Sequence, residues 1–104
     1  MPWYDYIAYF FGGAFLANAM PHFSNGISGR SFSTPFAKPP GKGLSSPTVN
    51  IFWGAFNAVV GYLLVFHVGN FSLRDIEDAV IAGAGALVMG VMLSQAFGQL
   101  YSGK

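Results

Sequence analysis

Three apolar stretches separated by two polar interruptions organise the chain. The first runs from about residue 3 to 20 and holds one charge, Asp5. At 1.5 Å per residue such a helix is roughly 27 Å long, close to the thickness of a bilayer's hydrocarbon core. Trp3, Tyr4, Tyr6 and Tyr9 crowd its start, where interfacial aromatics belong. Pro21 is expected to end it, because the residue before a proline avoids helical geometry. The second stretch covers about 47–68. Ser46 is its expected N-cap and Pro47 its first helical residue, where a missing N–H costs nothing. Gly69-Asn70 stops it. The third covers about 75–100, with Ser72 as candidate N-cap and Asp75, Glu77 and Asp78 at the positive end of the helix dipole.

The first interruption, 21–46, is rich in proline and glycine and excludes a long helix or a central strand. It is no plain linker, because Phe23, Ile27, Phe32, Phe36 and Leu44 recur through it. It is expected to lie against lipid headgroups or to fold back on the helices.

Composition settles the class. Charged residues are 9% of the 104, against roughly a quarter in a soluble domain. So short a chain cannot hide this much apolar surface from water. The charges are also sorted. Asp5, Asp75, Glu77 and Asp78 flank the start of the first stretch and the second interruption, while Arg30, Lys38 and Lys42 lie in the first interruption and Lys104 follows the third stretch. Only Arg74 breaks the pattern. The chain is therefore expected to be an all-α integral membrane protein, one domain of three transmembrane helices. The positive-inside rule puts the long loop and Lys104 in the cytoplasm, N-terminus out and C-terminus in. Ala17-Asn18-Ala19 resembles a signal-peptide cleavage site, but the preceding stretch lacks the basic start of a signal and carries Asp5, so an uncleaved first helix is expected.

Ala82, Ala86, Gly90, Ser94 and Gly98 repeat every four residues along the third helix. Residues so spaced lie near one face, and small ones let another helix backbone come close. Ala8 with Gly12, Gly13 with Ala17 and Gly54 with Ala58 offer shorter versions of the same pattern. The partner helix is in this chain, in a copy of it, or in another transmembrane subunit.

Polar groups inside a bilayer are costly and often functional. Asn18, Asn57, Ser94, Gln95 and Gln99 fall in overlapping layers of an up-down-up bundle, with His22, Asn25, Arg30 and Asn50 just above. Asn18, His22, Arg30, Asn50, Asn57 and Gln95 form a candidate polar cluster beneath the long loop. It serves either to fix helix register by hydrogen bonds or to hold a lipid headgroup, a quinone or a small anion. His22 and His67 cannot jointly clamp a haem or pigment, since they lie at opposite ends, about 30 Å apart; each could be a single axial ligand.

Much chemistry is excluded. There is no cysteine, hence no disulfide or thiolate site. Gly41-Lys42-Gly43 lacks the spacing of a phosphate-binding loop. No carboxylate pair is expected at mid-membrane, and the bases form no run that would mark nucleic-acid binding.

Pro21-His22-Phe23, Gly26 to Ala37, Gly43 to Ser46 and Asn50 with Trp53-Gly54 resemble a small family of uncharacterised bacterial membrane proteins. The resemblance spans less than half the chain. It implies a bacterial inner-membrane location and three helices, and carries over no activity or catalytic residue. The expected role is a non-enzymatic accessory or scaffold subunit, with lipids and other transmembrane chains or copies of itself as partners. A homo-oligomeric pore or carrier lined by Asn and Gln, and a pigment- or quinone-holding subunit, are the alternatives.

Overall fold

The computed structural model describes residues 2–101; Met1 and residues 102–104, Lys104 among them, lie outside the described part. Three helices form: α1 Trp3–Ile27, α2 Pro47–Phe66 and α3 Ile76–Tyr101. α2 and α3 are each long and apolar enough to cross a membrane. α1 is longer than α2 but less apolar, because tyrosines, Asp5, Asn18 and a polar last turn dilute it. It is the central element, and α2 and α3 pack on it rather than on each other.

α1 does not stop at Pro21. It runs on to Ile27, with Asn25 Nδ2 donating to the Pro21 carbonyl at 2.7 Å. The stop is Gly29, whose φ of 72° is the left-handed conformation that glycine adopts freely. The Gly29 N–H donates to Gly26 O and the Arg30 N–H to Asn25 O, the two-bond pattern that closes many helices. Helix continuation places His22, Asn25 and Gly26 on α1 and shortens the loop to 28–46. α2 starts as the serine and proline predict: Ser46 Oγ accepts from the Val49 N–H at 3.1 Å. At α3 the cap is Asp75 instead of Ser72, with the Glu77 N–H donating to Asp75 Oδ1 at 3.0 Å. Ser72 serves the turn before it, accepting from the Arg74 N–H.

The loop is ordered and folds back. Phe32 and Ser45 pair as an antiparallel bridge, exchanging backbone bonds of 3.2 and 2.8 Å. The Gly41 and Ala37 N–H groups both donate to Thr34 O.

Glycines set both helix seams. A Cβ on Gly61 would lie 2.7 Å from the Leu16 side chain, and one on Gly54 2.7 Å from the Phe23 backbone nitrogen, so α2 sits almost against α1. On the other side a Cβ on Gly13 would run into the Ala82 carbonyl, and one on Gly85 into the Phe10 carbonyl. The small-residue row of α3 therefore meets α1 only at its start. Ala82 is in the seam, whereas Gly90, Ser94 and Gly98 are exposed, and Gly90 and Gly98 face open space. Helix geometry explains this. Four residues turn a helix 40° past a full circle, so four such steps carry Gly98 about 160° round from Ala82.

Candidate functional site

The loop end of the bundle holds a network of buried amides. Asn50, on the first turn of α2, is 0% exposed. Its Nδ2 lies 3.0 Å from Phe32 O, 3.2 Å from Ser45 O and 3.0 Å from Ser46 O. Only an NH2 group suits three carbonyls, so the amide oxygen must face the fourth neighbour, His22 Nδ1, at 2.9 Å. His22 Nδ1 is therefore the donor, and the neutral ring carries its lone pair on Nε2. One asparagine thus ties α1, α2 and both strands of the loop together.

A second pair lies deeper. Asn57 donates through Nδ2 to Trp53 O at 2.8 Å, which orients its amide. Its oxygen then accepts from Asn18 Nδ2 at 3.0 Å and leaves Asn18 Oδ1 as the remaining acceptor. Thr34 and Ser45 join their hydroxyls in the loop above.

Asn18, His22 and Thr34 of this network line an open pocket of about 230 Å³, together with Ser33, Pro35, Gly41, Trp53, Ala96 and Phe97. Two of its polar atoms, Ser33 Oγ and Trp53 Nε1, are buried and have no hydrogen-bond partner. Aromatic rings close the sides: His22 lies 6.2 Å from Phe97 and 6.3 Å from Trp53, both edge-on, and Phe32 packs on Phe97 at 4.6 Å.

The expected cluster is thus partly assembled. Asn18 meets Asn57, and His22 meets Asn50. Arg30 is exposed, held by Asn25 Oδ1 at 3.0 Å, and lines no part of the cavity. Gln95 is exposed on α3, outside the lining. Ser33, Thr34, Trp53 and Phe97 were not foreseen. A signal for the first two exists: in a loop studded with aromatics, adjacent hydroxyls between Phe32 and Pro35 are the residues that lipid would reject.

No family model, curated protein or solved structure matches the chain. Its chemistry has to be read from its own side chains.

The opposite end is acidic. Asp5 and Asp78 are buried there, together with Tyr9, beneath the 67–75 link. A Cβ on Gly69 would lie 2.6 Å from both Asp5 Oδ2 and Tyr9 Oη, so a side chain there would have to displace the ends of Asp5 and Tyr9. Asp78 Oδ2 accepts from the Ser72 N–H at 3.1 Å, while Asp78 Oδ1 and Tyr9 Oη have no partner. Asp5 and Asp78 are thus enclosed within the acidic end, and Asp78 supports the link as well as the helix dipole. His67 bonds Tyr62 Oη at this end, while His22 lies at the other. Among the described residues no group of three His, Cys, Asp or Glu is placed to hold a metal ion.

Proposed function

We infer that the chain is a three-pass bacterial inner-membrane protein, N-terminus out and C-terminus in, that serves as a non-enzymatic accessory or scaffold subunit. The membrane reading is supported by an inverted distribution of residues. The buried hydrophobic residues are Ala8, Tyr9, Ala14, Ala19, Ala37 and Val65, whereas Asp5, His22, Ser33, Thr34, Ser45, Asn50, Asn57 and Asp78 are also buried. The large apolar side chains are outside, with Phe52 71% and Ile76 77% exposed. In water such a surface would aggregate; in lipid it is the expected one. The acids gather at one end of the bundle and Arg30, Lys38 and Lys42 at the other, which supports the orientation.

The subunit reading is carried by α3. Its outer face keeps Gly90, Ser94 and Gly98 uncovered, a surface on which a second helix could seat closely. Weighing against a pore is the mutual bonding of Asn18 and Asn57, which directs both amides inward. The experiment is native mass spectrometry of the full chain in lipid nanodiscs, with and without Gly90→Leu. An assembly larger than one chain that Gly90→Leu dissociates is the expected result. A monomer in both cases, or an assembly indifferent to the substitution, overturns the reading.

A further inference from the structure

We propose that the cavity under the loop is a binding site for an uncharged, ring-shaped head group that accepts or donates hydrogen bonds, of the quinone or quinol type. The site does not depend on what covers α3.

Four of the residues lining the pocket carry polar side-chain atoms that the network leaves over. Trp53 Nε1 can only donate, and Ser33 Oγ can do either; both are buried without a partner. Such groups cost roughly 1–3 kcal/mol each when left unpaired. His22 Nε2 and Asn18 Oδ1 are acceptors, because Asn50 and Asn57 engage the other half of each side chain. A ring carbonyl suits the donors, and a ring hydroxyl suits the acceptors.

The lining selects against other ligands. It contains no Lys, Arg, Asp or Glu, so an anion or cation would be desolvated there without a counter-charge. The pocket, about 230 Å³ and open on one side, is ample for one six-membered ring. Water alone fits poorly. Filling the space would take about eight molecules at ~30 Å³ each, and each seeks about three hydrogen bonds. The walls offer few polar groups, and much of the remaining lining is the faces and edges of His22, Trp53 and Phe97. A flat ring places apolar faces on those aromatics and polar edges on the donors and acceptors.

The chain reports on its own site. It has two tryptophans, and Trp3 is 71% exposed at the far end. In a Trp3→Phe background Trp53 is the sole indole. Duroquinone is titrated into the full chain in phosphatidylcholine nanodiscs while Trp53 emission is followed. Saturable quenching is expected, above the linear collisional quenching that any membrane quinone produces. Ser33→Ala should weaken the saturable part by about tenfold, the worth of one hydrogen bond in a dry site. Ala96→Phe, an exposed α3 position at the cavity wall, should abolish it with the melting temperature unchanged. Gly90→Leu should leave it intact whatever it does to assembly. Quenching that is linear throughout, or saturable quenching insensitive to both Ser33→Ala and Ala96→Phe, overturns the proposal and leaves the cavity to water.

Discussion

The α1–α2 and α1–α3 seams rest on the same device and differ in what is added to it. In both, glycines bring helix backbones close enough that a single methyl group would collide. Across α1–α2, two side-chain links are added, His22 with Asn50 and Asn18 with Asn57. Across α1–α3, Tyr6 donates to Glu77 at 3.1 Å in an exposed position at the acidic end. Smooth glycine contact makes two helices adhere and says little about register. Buried amides fix register, because sliding one helix by a turn leaves each amide buried without its partner. The difference teaches that buried amides lock α1, α2 and the loop together, while glycine contacts, the Tyr6–Glu77 bond and the Phe97 ring hold α3.

The sharpest way to break the lock is Asn50→Leu. It leaves buried His22 Nδ1 without its acceptor and strips three carbonyls of their second hydrogen bond, and should cost about 3 kcal/mol. A fall in melting temperature in detergent, together with rapid tryptic cleavage after Arg30 and Lys42, would show it; an unmoved digestion pattern would deny that Asn50 holds the loop. Gly85→Leu comes next, at about 1–3 kcal/mol for overpacking. It should push α3 off α1 while sparing the other seam, which distances between spin labels on introduced cysteines would resolve on this cysteine-free background. Asn57→Leu should cost less, about 0.6–1.7 kcal/mol, the range for membrane hydrogen bonds. If Asn57→Leu proves as harmful as Asn50→Leu, the deeper pair and not the loop tie sets the register. Smallest of all is Gly90→Leu, within about 0.5 kcal/mol for the isolated chain, since it meets only open space.

The three helices, the cap at Ser46 and the segregation of charge were legible because each rests on local composition. The end of α1 was misread at Pro21 because a proline's missing N–H removes only one bond, while His22, Asn25 and Gly26 gain tertiary contacts by continuing the helix; Gly29, two residues beyond, was the true stop. The row from Ala82 to Gly98 was read as one face, yet its drift around the helix takes its second half off α1. Within the site, Asn18, His22, Asn50 and Asn57 stood out as polar residues in apolar surroundings. Ser33 and Trp53 did not, because only the fold of the loop turns Ser33 inward and brings it with Trp53 into the lining of one pocket.

The less apolar central helix bears on how the protein is made. α1 emerges from the ribosome before the two helices that cover its polar face. On the three-pass reading proposed above, Asn18 and His22 would face lipid with no partner until α2 follows. Stable insertion of α1 is thus a property of the nascent chain through α2, and a chain truncated at residue 30 should slip from the bilayer where one truncated at residue 70 stays.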